Sequence, residues 1–239
     1  MLSHRHEQYN YIMSKVAVII PCYNEEVTIK KVVQDAFKYL PDADVYVYDN
    51  NSKDKTAEEA LSAGAIVVKA EKQGKGNVLK QAFQEIDADV YITIDGDDTY
   101  NLEQGQLMVD KVVNEGCDMV IGDRLTSSYF QNKNLPFHNF GNRLVRFLVN
   151  HMFHYKFTDI MTGLRAMSPK LVKNINVVST GFQIETELSI YAAKHKLKID
   201  SVEVGYQDRP EGSYTKTKAI RDGIKIVGMI FKLKFKRKY

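Results

Sequence analysis

The stretch Val90-Tyr91-Ile92-Thr93-Ile94-Asp95-Gly96-Asp97-Asp98 decides how the rest of the chain is read. Val90–Ile94 is a short run rich in β-branched and aromatic residues, the pattern of a buried strand. It ends in three acids within four residues. Working outward, the same alternation repeats. Val16–Ile20 is an apolar run closed by Pro21, Val45–Tyr48 ends at Asp49, and Ile66–Val68 and Met119–Ile121 are two more. Between these runs, helical spacing covers Glu25–Tyr39, Thr56–Ala63, Gly76–Ile86 and Leu102–Asn114. Strands alternating with helices predict right-handed crossovers and a mostly parallel sheet flanked by helices. In such sheets ligands sit beyond the carboxyl ends of the strands. The clusters Tyr23-Asn24-Glu25-Glu26, Asp49-Asn50-Asn51-Ser52 and Asp95–Asp98 all fall at those ends. The second half is less regular: helices over Asn139–Phe157 and Ser179–Lys194, a strand over Leu197–Val204, a loop over Gly205–Thr217, and a final helix from Lys218 to Phe235.

With 239 residues, 44% hydrophobic and 26% charged, the chain can bury a real core, which excludes disordered and collagen-like classes. Cys22 and Cys117 are too few for a disulfide framework or a four-cysteine zinc site. No run approaches the ~20 apolar residues of a membrane span. Met1–Lys15 lacks the apolar core of a secretory signal, so the cytoplasm is the expected compartment. The net charge of +3 is unevenly spread. Lys216–Tyr239 holds nine Lys and Arg against Asp222, a local +8, which leaves −5 on Met1–Thr215. An acidic body with a basic tail points to partners rather than to fold.

The acidic cluster carries the sharpest chemistry. Residues i and i+2 leaving a strand point to one side, so Asp95 and Asp97 can converge on one hard cation, Mg²⁺ or Mn²⁺, that holds a diphosphate. Gly96 would let a ligand approach the backbone. A solvated acidic turn before the helix at Leu102 is the plainer alternative. Gly74-Lys75-Gly76 precedes a helix, where free N–H groups and a lysine suit a phosphate, although a plain turn reads the same way and no Walker A spacing is present. No glycine follows the first strand, which counts against a dinucleotide site. His151 and His154 lack a third ligand at motif spacing, and His4 and His6 are incidental. Glu185 stands beside Phe182 and Ile184 and either faces inward or sits on a helix surface. Tyr206–Lys216 is a glycine-containing loop whose Arg209 suits bidentate phosphate recognition, or it is an exposed surface loop. In the tail, Ile220, Ile224, Val227, Phe231 and Phe235 recur near helical spacing among Arg221, Lys225, Lys232 and Lys236. That pattern reads as a basic amphipathic helix on an anionic membrane. The competing readings are a docked terminal helix and a nucleic-acid contact. The acidic body and missing motifs disfavour the second, so no nucleic acid is expected.

Val18-Ile19-Ile20-Pro21-Cys22-Tyr23-Asn24-Glu25-Glu26, the Asp49–Ser52 turn and Asp95–Asp98 together resemble family 2 glycosyltransferases of the GT-A fold. Further along, Gly122-Asp123-Arg124, Gly141-Asn142-Arg143, Asp159–Arg165, Gly181–Glu187 and Arg209–Ser213 are similar to the dolichyl/polyprenyl-phosphate mannose and glucose synthase branch. The resemblance spans Lys15 to Gly228. It implies an α/β, Rossmann-like catalytic domain over 1–217, followed by the amphipathic helix 218–239. It implies a UDP- or GDP-linked sugar resting on Pro21, Tyr23, Asn24, Glu25, Asp49, Asn51, Lys75, Asp95, Gly96 and Asp97, with Asp95 and Asp97 at the metal. The acceptor is either a polyprenyl phosphate or a glycan hydroxyl. A phosphate acceptor would be held by Arg124, Arg143, Arg209, Ser213 and Lys216, which is positioning rather than proton chemistry. A hydroxyl acceptor needs a base, with Asp159 the first candidate and Glu185 the second. A third alternative is a nucleotide-sugar-binding module without turnover, against which Asp95, Asp97, Asp98 and Arg209 all argue. Many lipid-phosphate transferases of this type carry C-terminal membrane helices. A homo-oligomer stays open.

Overall fold

The structure is a computed structural model that describes residues 14–125, 136–216 and 219–236. The expectations for His4, His6, Lys218, Arg237, Lys238 and the 217/218 boundary lie outside the described residues. Strand β1 (Val16–Cys22) keeps Ala17 to Ile20 fully buried. A strand that is apolar on both faces must be covered on both sides. It pairs in parallel with β2 (Asp44–Asp49) and β4 (Val90–Thr93), with Ile19 opposite Tyr46 and Thr93. With β3 (Ile66–Lys69), β5 (Met119–Asp123), β6 (Arg165–Met167) and β7 (Ile199–Glu203), the sheet order is β3-β2-β1-β4-β6-β5-β7. From β1 the chain builds outward to β2 and β3, then returns to lay β4 on the other side. The order therefore reverses between β1 and β4, and a crevice opens at their carboxyl ends.

Strand β6 departs from the sequence expectation. It runs antiparallel to both β4 and β5, with Arg165 opposite Thr93 and Ile121. Three residues are too few to show a strand period, so nothing in the local pattern announces it.

Eight described helices cover the sheet: α1 (Ile29–Tyr39), α2 (Thr56–Ser62), α3 (Lys75–Glu85), α4 (Gly105–Val113), α5 (Pro136–Phe153), α6 (Pro169–Val172), α7 (Ile184–Lys194) and α8 (Ala219–Phe235). Alternation along the strands sorts the core into two layers. Val18, Ile20 and Ile92 face α1, α2 and α4, whereas Ala17, Ile19 and Tyr91 face α3, α5, α7 and α8. Several helix boundaries differ from the expected ones, among them Gly105 for Leu102 and Pro136 for Asn139, and three have a local reason. The helix expected from Glu25 begins at Ile29, because the Glu25 carbonyl accepts from Thr28 N and Ile29 N in a lead-in turn. The one expected to reach Phe157 stops at Phe153, closed by His154 at φ +54°. The one expected from Ser179 begins at Ile184, since Val178 N and Ser179 N donate instead to the Glu187 carboxylate.

Helix α8 has two apolar faces. Ile226, Met229, Ile230 and Leu233 are buried in the same core layer as α5 and α7. Ile220, Ile224 and Phe235 are 82%, 69% and 78% exposed on its outer side, with Phe231 exposed between them. The docked-helix and amphipathic-surface readings thus describe opposite sides of one helix. No described helix is long and apolar enough to cross a membrane.

Candidate active site

The acidic turn after β4 is built by its neighbours. Gly96 does not open toward a ligand on its Cβ side: a methyl group there would stand 2.5 Å from Cys22 Sγ. Its carbonyl accepts from Thr28 Oγ1 at 2.6 Å, which ties the turn to the start of α1. Asp98 takes a left-handed backbone at φ +57° and turns away to pair with Lys31 at 2.8 Å. Asp95 and Asp97 instead meet Lys75 and Arg209 from elsewhere in the chain. Asp97 is buried and accepts from Thr99 Oγ1 at 2.6 Å. Burial and then the Asp95 charge lift its carboxyl above the ordinary value, against Arg209. Gly163, which the sequence shows only as one residue of the Asp159–Arg165 motif, is required beside Asp95, because a side chain there would collide with the carboxylate.

Lys75, on the first turn of α3, bridges Asp95 and Glu185. Burial opposes its charge, but the two carboxylates prevail and hold its pKa well above the lysine range. Glu185 is therefore inward-facing and paired with a lysine, rather than on a helix surface. The Gly-Lys-Gly stretch is shaped by protein backbone. Gly74 has φ +115°, and a Cβ on Gly74 or Gly76 would run into the carbonyls of Thr180 and Ser179. Asn77 N donates to Thr180 O at 3.4 Å, so the N-terminus of α3 is met partly by that loop. Buried Asn50, part of the Asp49–Ser52 cluster but given no role from sequence, locks the approach. Its Oδ1 accepts from Gly74 N at 2.6 Å and its Nδ2 donates to Lys72 O at 2.8 Å.

The loop 205–216 lies as a strap across the acids. Arg209 reaches Asp97 through Nη2 and Glu25 through Nη1 at 3.4 Å. Lys216 Nζ meets Glu25 Oε1 at 2.7 Å and Asn24 O at 2.8 Å, and Ser213 Oγ donates to Glu25 Oε2 at 3.3 Å. Gln207 pins the strap by donating to Asp98 O at 2.8 Å. Burial raises the Glu25 pKa while Lys216 and Arg209 pull it back. Residues expected at an acceptor phosphate (Arg209, Ser213, Lys216) thus stand among residues expected at a nucleotide sugar. Pro21 and Tyr23 are half-buried at the end of β1. Asn24 (φ +53°) accepts from Lys53 N at 2.8 Å, and Asn51 (φ +64°) is exposed. Asp49, Asn51 and Ser52 line a cavity of about 420 Å³ with Ala57, Val67 and Lys69.

A second cluster stands after β5. Arg124 grips Asp159 with two bonds, Nε to Oδ2 at 2.8 Å and Nη2 to Oδ1 at 3.0 Å. Its guanidinium packs over Tyr206 and Tyr100, 5.3 and 5.8 Å from the ring centres. Asp159 is fully buried; burial raises its pKa, but the Arg124 charge and hydrogen bonds outweigh that and leave it lowered. Arg143 is not brought into contact with either cluster and stands exposed on α5. His151 and His154 are also exposed there, with His151 stacked on Phe147. Among the described residues, three metal-capable donors come within 4.8 Å of one another at Glu115, Cys117 and Asp200. That group precedes β5 at the opposite end of the sheet, and Lys111 already pairs with two of its members.

An acid pair at the switch point of a mostly parallel sheet, faced by a lysine and an arginine, is the arrangement of an α/β enzyme that handles an anionic, cation-bound substrate. The family model "Glycosyl transferase family 2" matches residues 17–175. A glycosyltransferase named AglJ from Haloferax volcanii is 36% identical over 217 residues, 90% of this chain and 69% of its own. A dolichyl-phosphate hexose transferase from the same organism is 33% identical, covering 83% of this chain and 86% of its own. Protein RfbJ of Shigella flexneri is 46% identical over 114 residues, 48% of this chain and 88% of its own. In structure, glucosyl-3-phosphoglycerate synthase of Mycobacterium tuberculosis in complex with uridine-diphosphate aligns with TM-score 0.75 at 19% identity, covering 93% of this chain and 80% of that one. The same enzyme with Mn²⁺, uridine-diphosphate-glucose and phosphoglyceric acid gives 0.72 at 20% identity, over 93% and 80%. The chain belongs to glycosyl transferase family 2. It is a glycosyltransferase with the GT-A fold that its motifs resemble, and its relatives include the dolichyl-phosphate branch.

Proposed function

We propose that the enzyme moves a sugar, with inversion, from a UDP- or GDP-linked donor to a polyprenyl or dolichyl phosphate at the cytoplasmic face of a membrane. One observation carries this reading: no carboxylate among the catalytic candidates is free to act as a base. Asp159 is spent on Arg124 and Glu185 on Lys75. A hydroxyl acceptor would need such a base. A lipid monophosphate is already anionic at neutral pH and needs only to be aimed. Its oxygen attacks the anomeric carbon, the bond from that carbon to the diphosphate oxygen breaks, and the electron pair leaves on the diphosphate. The related dolichyl-phosphate hexose transferase supports the same acceptor class.

Asp95 and Asp97 fit a divalent cation: both are hard oxygen donors, and each already faces a cationic side chain, Lys75 or Arg209. Mg²⁺ or Mn²⁺ bound there would neutralise charge on the leaving diphosphate. The solved relative with Mn²⁺ and uridine-diphosphate-glucose supports that cofactor class. Pro21, Tyr23, Glu25, Asp49 and Asn51 would hold the nucleoside. Arg124, with Arg209, Ser213 and Lys216 from the strap, would hold the acceptor phosphate. In this reading 1–217 is the catalytic unit and 218–239 the membrane contact.

A panel of nucleotide sugars with short polyprenyl phosphate, Mn²⁺ or Mg²⁺, and product masses tests the reaction. Transfer to the lipid phosphate that stops on chelation is expected; transfer to saccharides alone would overturn the reading. The outer face of α8 supports the membrane contact, since Ile220, Ile224, Phe231 and Phe235 are exposed among Arg221, Lys225, Lys232, Lys234 and Lys236. Replacing Ile224 and Phe231 together by Glu should cut partitioning onto anionic vesicles about tenfold or more, while turnover of a water-soluble acceptor stays intact. Equal sedimentation of both proteins with vesicles would refute the contact.

A further inference from the structure

Arg165 is the largest fully buried side chain of the described residues, yet it touches neither the strap nor the acidic turn. It sits on β6, the antiparallel strand wedged between β4 and β5. All three nitrogens of its fork donate to groups that carry no charge. Nη2 donates to Ile160 O at 2.6 Å and Nε to Thr162 O at 3.2 Å. Nη1 donates to Ser189 Oγ at 3.0 Å and lies 3.2 Å from Met119 Sδ. Ser189 Oγ in turn donates to Glu185 O at 3.0 Å. Burying a guanidinium without a carboxylate partner is costly, so its retention calls for a reason beyond packing.

The reason lies in what the two carbonyls belong to. Residues 159–163 form one short bent stretch, the 159–163 turn, that serves both clusters. At one end, Asp159 holds Arg124 and is itself steadied by Met161 N at 3.2 Å. At the other, Gly163 packs against the Asp95 carboxylate, with its N–H on Tyr100 Oη at 2.8 Å and its carbonyl on Thr93 Oγ1 at 2.9 Å. The middle of the turn, Ile160 and Thr162, is gripped from behind by Arg165 alone among side-chain donors of the described residues. A planar fork sets two carbonyls at a fixed spacing; a lysine, with one rotating ammonium, does not. Burial pulls the Arg165 pKa down to about 10, with the charges of Glu185 and Asp159 opposing that fall.

We propose that Arg165 is a positioning residue for the acceptor: it sets the 159–163 turn so that Asp159 presents Arg124 to the acceptor's anionic end, and through Ser189 it keeps that turn in register with helix α7. This rests on the reading of Arg124 as an acceptor ligand. Arg165→Lys keeps the charge and loses the fork, and Ser189→Ala removes one bond of the fork together with the Ser189–Glu185 bond within α7, leaving the charge in place.

The experiment measures KM for short polyprenyl phosphate, binding of UDP or GDP with Mn²⁺, and amide hydrogen exchange in both variants. In Arg165→Lys the acceptor KM should rise about tenfold, with nucleotide affinity within threefold of the parent. Exchange at Arg124 and Met161 should speed up while β1 and β4 keep their protection. Ser189→Ala, the milder change, should shift the same quantities by about threefold and stands in if the lysine variant does not fold. Unchanged acceptor KM with unchanged exchange at 124 and 161 would overturn the inference, as would a fall confined to kcat with uniformly faster exchange. Failure of the parent enzyme to use any lipid phosphate would instead overturn the underlying reading of Arg124, and the exchange data would still decide what Arg165 holds.

Discussion

Asp97→Asn is expected to lower kcat/KM for the nucleotide sugar by about a thousandfold, about 4 kcal/mol of transition-state stabilisation. The substitution keeps the shape and the Thr99 hydrogen bond, but removes the charge that a divalent cation would share with Asp95. Asp97 already stands at the limit of what its surroundings allow: it is buried, and the Asp95 charge beside it raises its pKa. Neutralising it relieves that repulsion, so the variant should be as stable as the parent or slightly more so. Loss of activity with an unchanged or raised Tm separates a lost cation site from a lost fold. Mn²⁺ titrated against the variant should show weakened binding, and Arg209, freed from Asp97, keeps Glu25 as a partner. Metal-dependent turnover within tenfold of the parent would remove Asp97 from the cation site.

That prediction could be framed from sequence, because strand ends in α/β sheets are legible. Runs such as Val16–Ile20 and Val90–Ile94 are apolar on both faces, and the acids that follow fall at the carboxyl edge. The position of Asp95 and Asp97 just past the end of β4 follows from the pattern alone. What pairs with each acid does not, since those partners come from far along the chain. Arg209 is 112 residues from Asp97, and Lys75 is 110 from Glu185. Spacing within a motif says nothing about which loop folds back on it. Gly96 adds a reason the pattern does not carry: an added Cβ there would meet Cys22, so the core itself requires the glycine. Arg165 was visible only as one residue of a motif, because a buried guanidinium whose partners are carbonyl oxygens leaves no compositional trace.

Asp159→Asn should lower kcat/KM for the lipid phosphate by about 10²- to 10³-fold while leaving the shape of the pH profile unchanged, and this decides between the two acceptor classes. The pKa of Asp159 is lowered in the fold, so its stabilising ionised form is present above the ordinary carboxylate value near 3.9 and is lost only as pH falls through the still lower folded value. Between pH 5 and 9 it does not titrate. A group that stays anionic throughout cannot produce an acid limb in that range, whereas a phosphate monoester with its second pKa near ~6 can. If Asp159 serves only to hold Arg124, the limb near pH ~6 persists in the variant and the loss appears mainly in the acceptor KM. If it were the base for a hydroxyl, kcat itself would collapse with little change in the acceptor KM. The change also leaves the Arg124 charge without its bidentate partner, at a stability cost of about 3–5 kcal/mol. Arg124→Lys, which keeps the charge on the turn but breaks the two-bond grip, therefore serves as the companion variant. The same rise in acceptor KM in both, with nucleotide binding intact, assigns the pair to aiming an anion; a collapse of kcat at unchanged acceptor KM in Asp159→Asn would return the enzyme to hydroxyl chemistry.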